Sequence, residues 1–96
     1  MTKSMLAVAV YDVANDRRRT KLHNLLKQYG VAIQESAFEA RLTRTERDRL
    51  MERARQLLDE DEDRFVVYTV GVPQEAQIQV VGKERPEIPV KTYFIV

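Results

Sequence analysis

One acidic residue, Asp12, closes an apolar run, and the residues just after it include Asp16, Arg17, Arg18, Arg19 and Lys21. A carboxylate at a strand end can hold a divalent cation, and cations opening a helix can neutralise a phosphate, so the stretch Tyr11–Lys21 reads as a metal-and-phosphate corner. Two readings of Asp12 stand side by side. It is costly to bury unless paired, hydrogen-bonded or metal-bound, or it simply caps the strand-to-helix turn. One carboxylate per chain makes a poor Mg²⁺ site, although Mg²⁺ keeps several waters and accepts one or two carboxylates. A symmetric dimer that brings two copies of Asp12 together would remedy this.

The four cations at the helix start oppose the macrodipole, which favours anions there. That misplacement suits phosphate binding, with cations and helix N-terminal amides aimed at one anion. Against it, surface arginines are usually solvated, and Asp16 is at hand to neutralise one of them. The second Arg-rich stretch, Arg44, Arg47, Arg49, Arg53 and Arg55, is interleaved with Glu46, Asp48 and Glu52, the pattern of a salt-bridged exposed face. His23 is the only histidine and there is no cysteine, so no zinc set can form and His23 reads as a lone surface residue. Ser36 has no triad around it, and three glycines supply no phosphate-cradling loop.

The elements that position these residues follow from periodicity. Met5–Val13 reads as a strand apolar on both faces, with Leu6, Val8, Val10 and Asp12 on one side and Met5, Ala7, Ala9 and Tyr11 on the other. Asn15 or Asp16 caps a helix whose stripe is Leu22, Leu25, Leu26 and Tyr29, with Gly30 as its stop. Val31 to Leu42 is extended but changes phase, which requires a break or bulge at Glu35–Ser36. Thr43 and Glu46 form a capping box for a second helix with the stripe Leu50, Met51, Ala54, Leu57 and Leu58. Asp59–Asp63 reads as a solvated acidic turn. Arg64–Val70 and Ala76–Val81 are strands, Gly82 ends the second, and Lys91–Val96 is a short apolar strand beyond two prolines.

With 96 residues, 44% of them hydrophobic, the chain is one small ordered domain. The net charge of +1 means that attraction to nucleic acid must come from local patches. The absence of cysteine fits a reducing compartment, and Met5–Val13 is too short to span a bilayer, so the expectation is a cytoplasmic protein. The order of elements is that of a ferredoxin-like βαββαβ α+β sandwich over residues 1–82, followed by a linker and C-terminal strand at 83–96. Two helices would cover one sheet face and leave the other apolar. A homodimer with facing sheets would cover that face, and the tail Tyr93–Val96 would pair with the partner's sheet or fold back on its own.

Tyr11-Asp12-Val13, Asp16-Arg17-Arg18-Arg19-Thr20-Lys21-Leu22, Tyr29-Gly30 and Ile33-Gln34-Glu35-Ser36-Ala37-Phe38-Glu39 together resemble the small CRISPR-associated protein of the spacer-acquisition machinery, the "Cas two" family. The resemblance runs nearly the whole length, through the acidic turn and the apolar C-terminal strand. It implies a homodimer with facing sheets that exchange C-terminal strands, binds double-stranded DNA and joins a CRISPR-associated integrase. It also implies a metal-dependent nuclease acting on DNA or single-stranded RNA, in which Asp12 from both subunits holds Mg²⁺. Arg19 and Lys21 would be catalytic beside Asp12. Arg17, Arg18, Arg19 and Lys21 would contact nucleic acid, and Tyr11, Ser36 and Phe38 would support the site. The chain departs from the pattern at Ala32, where many members are basic, so an active-site arginine from the second strand is not expected. The opposing expectation is a scaffold that bridges the integrase with no chemistry of its own.

Overall fold

A computed structural model of the chain describes residues 4–70 and 77–83. The elements run β1 (Ser4–Asp12), α1 (Asp16–Leu26), β2 (Gly30–Gln34), β3 (Ala37–Thr43), α2 (Arg44–Leu57), β4 (Arg64–Val70) and β5 (Gln77–Gly82). The strands form one antiparallel sheet in the order β2-β3-β1-β4-β5. Each helix therefore links strands separated by one inserted strand, which is the split βαβ arrangement expected for a ferredoxin-like α+β protein. The C-terminal strand expected at Lys91–Val96 lies outside the described residues. Among the described residues no helix is long and apolar enough to cross a membrane.

The two-residue period of β1 decides which side chains are covered. Met5, Ala7, Ala9 and Tyr11 point to the helices and are buried, together with Phe38 and Leu42 of β3 and Phe65 and Val67 of β4. Leu22, Leu25 and Leu26 of α1 and Leu50, Met51 and Ala54 of α2 complete this core. The opposite face is apolar along β1 and β4 and only partly covered, with Leu6, Val8 and Tyr68 half-buried, Val10 36% exposed and Val70 44%, while β3 places the exposed Glu39 and Arg41 on it opposite Val8 and Leu6.

Local chemistry places the breaks. Asn15 caps α1 by accepting from the Arg18 amide at 3.0 Å. Thr43 and Glu46 exchange side-chain and backbone hydrogen bonds at the start of α2, at 2.8 and 3.1 Å, as the capping box requires. The phase change between β2 and β3 is met by a turn at Glu35–Ser36 and a register shift between Ala32 and Gln34.

Gly30 has a different role from the helix stop expected of it. The helix ends at Leu26, and hydrogen bonds from Gln28 to Leu25 and from Tyr29 to Leu26 tighten its last turn. Gly30 instead opens β2, where a Cβ would lie 2.1 Å from the Glu39 carbonyl oxygen, so any side chain would push β2 off β3.

Candidate functional site

β1 delivers its last two residues to opposite faces of the sheet. Asp12 emerges on the open face and is exposed, and its side chain makes no hydrogen bond or ion pair among the described residues. The burial cost anticipated for its carboxylate therefore does not arise, because the strand end carries it out to solvent. Asn15, not Asp12, caps the helix.

Tyr11, on the covered face, is 4% exposed. Its hydroxyl donates to the Glu35 carbonyl at 3.1 Å and lies 3.4 Å from Nδ1 of His23, and its amide donates to the Ser36 carbonyl at 3.1 Å. Burial pushes the Tyr11 pKa up, with the Arg19 charge acting weakly the other way. Phe38 lies against both rings, with centroids 6.4 Å from Tyr11 and 5.1 Å from His23, the latter edge-on. Tyr11, His23 and Phe38 thus form a bracket that fixes the β2–β3 turn beneath the corner. His23 is not the lone surface residue expected: it is half-buried in this bracket, as its place beside the leucine stripe signalled. Ser36 takes part through its backbone, and its side chain is exposed.

The four cations at the start of α1 divide into two kinds. Arg18 is held by the chain: its Nε and Nη2 donate to the Asp63 carboxylate at 2.7 and 3.1 Å, and Nη2 lies 3.8 Å from Glu62. The hydrogen bond to Asp63 raises the Arg18 pKa further. Arg19 donates to the Val13 carbonyl at 2.9 Å and pairs with Asp16, which is the neutralisation the sequence suggested. Arg17 and Lys21 are exposed and have no acidic partner among the described residues. Four residues apart, they share one side of α1, about 6 Å from each other along its axis.

Asp63 is the residue that sequence reasoning missed. It belongs to the run read as a solvated acidic turn, yet its side chain is fully buried. Besides Arg18 it accepts from the amides of Ala14 at 3.0 Å and Asp59 at 2.9 Å. Burial alone would raise its pKa, but the hydrogen bonds from Arg18, Asp59 and Ala14 outweigh that and hold it below the ordinary carboxylate value. The only signal was position, since Asp63 is the acid nearest the apolar strand β4.

No group of three or more His, Cys, Asp or Glu side chains with metal-binding spacing occurs among the described residues. Asp12 is thus an unengaged carboxylate that belongs to no such group among the described residues. Ala32 is exposed on the edge strand β2 and brings no charge to the corner.

A single antiparallel sheet of ferredoxin-like order, covered by helices on one face, defines a small α+β protein, with the exposed Asp12 at the end of β1 and the exposed Arg17 and Lys21 in the helix that follows it. The family model described as CRISPR associated protein Cas2 matches residues 5–78. The chain is 44% identical over 82 residues to the CRISPR-associated endonuclease Cas2 2 of Thermus thermophilus, covering 85% of this chain and 86% of that protein. It is 33% identical over 78 residues to the CRISPR-associated endoribonuclease Cas2 3 of Synechocystis, covering 81% and 85%. The crystal structure of Streptococcus pyogenes Cas2 at pH 6.5 superposes with a TM-score of 0.65 at 29% identity, over 70% of this chain and 87% of that one. The chain belongs to the CRISPR-associated Cas2 family.

Proposed function

We propose that two copies of this chain pair through their open sheet faces, and that the homodimer binds duplex DNA in support of spacer integration and cleaves phosphodiesters with Mg²⁺ at the paired Asp12 residues. The observation that carries this reading is Asp12 itself, exposed and unpartnered at the end of a half-covered apolar face. Covering that face with its own copy brings two such strand ends to one side of a two-fold axis. The names of the relatives, an endonuclease and an endoribonuclease, agree with phosphodiester chemistry.

The residues fit a shared ion. Mg²⁺ accepts one or two carboxylates and keeps its remaining ligands as water, and each chain supplies one free carboxylate. When bound, the ion supplies Lewis-acid stabilisation of a phosphodiester. The chain's own residues do the rest. Arg17 and Lys21 hold the phosphate backbone from the helix start. Arg19, fixed by Val13 and Asp16, places positive charge where negative charge builds up on the phosphate. The bracket of Tyr11, His23 and Phe38 keeps the strand end from shifting. Arg18 serves the fold rather than the ligand.

The test is cleavage of RNA and DNA across a range of pH with Mg²⁺ or Mn²⁺. Asp12→Ala is expected to abolish cleavage and leave duplex binding intact. Cleavage by Asp12→Ala at the wild-type rate would end the nuclease reading. A scaffold reading is favoured by two observations, that no group of three or more metal-ligating side chains occurs among the described residues and that position 32 carries no basic residue. On that reading wild type cleaves nothing, Asp12→Ala integrates spacers normally, and Arg17→Glu with Lys21→Glu weakens duplex binding and flattens its salt dependence.

A further inference from the structure

The arginines of α2 were expected to form a salt-bridged, self-neutralised face, and the structure divides them instead. Each acid of the helix already has a partner: Glu46 is held by the Thr43 amide in the capping box, Asp48 by Arg47, and Glu52 by Arg55. Arg49 and Arg53 are exposed and have no acidic partner among the described residues. They stand four residues apart, on one side of the helix and about 6 Å from each other along its axis. Arg44, nine residues before Arg53, falls on another side.

This repeats what α1 does with Arg17 and Lys21. A like-charge pair at this spacing destabilises a helix slightly, and the acids three residues either side of Arg49, Glu46 and Glu52, are already engaged by the Thr43 amide and Arg55. The charge is also segregated. α1 carries four cations to one carboxylate and α2 five to three, so the two helices hold a net +5 in a chain whose net charge is +1. Both helices lie on one face of the sheet, so this charge is concentrated on one layer. The acidic run 59–62 follows the C-terminal end of α2 and repels phosphate there, which ends the strip at Arg53.

We infer that Arg49 and Arg53 form a second phosphate-contact strip for duplex nucleic acid, on the helical layer and separate from the Asp12 corner. The inference rests on the duplex binding proposed above and extends it from the start of α1 to α2. A duplex backbone is the partner of fitting chemistry, because it presents a line of negative charges rather than a single anion.

The experiment measures binding of a DNA duplex longer than one helical turn at several salt concentrations. It compares wild type, Arg49→Gln with Arg53→Gln, and Arg17→Gln with Lys21→Gln. Both α2 residues are exposed, so the thermal midpoint of the α2 variant should match wild type. Loss of two phosphate contacts should reduce the slope of log K against log salt by about 1.8 for each strip of the homodimer that engages the duplex, and weaken binding on the order of tenfold or more at about 0.1–0.2 M salt. If the α2 variant keeps the wild-type slope and affinity while the α1 variant loses both, the strip is wrong and the corner stands. If wild type shows no salt-dependent duplex binding, both the strip and the proposed duplex binding fall.

Discussion

Asp63 shows how far one side chain can set a corner without touching a ligand. It ties the β1–α1 loop, through Ala14 and Arg18, to the turn before β4, through Asp59. Asp63→Ala leaves two amides and a partly covered guanidinium without their acceptor, and is expected to destabilise the fold by about 3 kcal/mol in urea unfolding. The pH dependence has a definite sign. Because the folded pKa of Asp63 lies below its unfolded value, its contribution is full above about pH 4 and fades as the pH falls through the folded pKa. The stability gap between wild type and Asp63→Asn should therefore narrow on acidification. A gap that stays constant from about pH 7 to pH 3 would show that the charge on Asp63 contributes nothing. At this scale the sequence singled out Tyr11, Asp12 and Arg17–Lys21 but could not sort them. Arg17, Arg18 and Arg19 are chemically equal in one dimension, and only the position of Asp63 and of the Val13 carbonyl divides them into free and occupied.

At the scale of elements, caps and stripes were well encoded. Thr43 and Glu46 stand three residues apart, and local hydrogen bonding needs no tertiary help to form the capping box. Thr43→Ala should cost about 1 kcal/mol and lower the thermal midpoint by several degrees, measured by circular dichroism. Gly30→Val should do more damage, because its Cβ would collide with the Glu39 backbone and force β2 away from the edge of the sheet. A Gly30→Val protein melting like wild type would show that β2 can yield at that point. The expectation that Gly30 stops α1 failed for a physical reason. A glycine after a helical stripe signals a left-handed cap or a close strand approach equally well, and Gly30 has no positive φ. Burial of Arg47 in α2 was likewise invisible, since the position follows a polar pattern and its cover comes from elsewhere in the fold.

At the scale of the whole molecule, the half-covered apolar face of β1 and β4 is the feature that most needs a partner. Val10 is its exposed centre beside Asp12. Val10→Glu should convert the proposed homodimer to monomers in sedimentation equilibrium while leaving the helix-covered core and its circular dichroism unchanged. A variant that still sediments as the wild-type dimer would move the interface off this face. The two-faced character of β1 was plain in the sequence, because an uninterrupted apolar run cannot have one wet side without consequence.

The sequence by itself determined the order of strands and helices along the chain, the caps and the phase break before Ala37. These depend on periodicity and on contacts within a few residues. The tertiary structure alone decided which cations remain free, that Asp63 and His23 are structural, and that Arg49 and Arg53 stand unneutralised. Each of those depends on charges and carbonyls brought together from distant parts of the chain, and no local pattern records which acid a given arginine will reach.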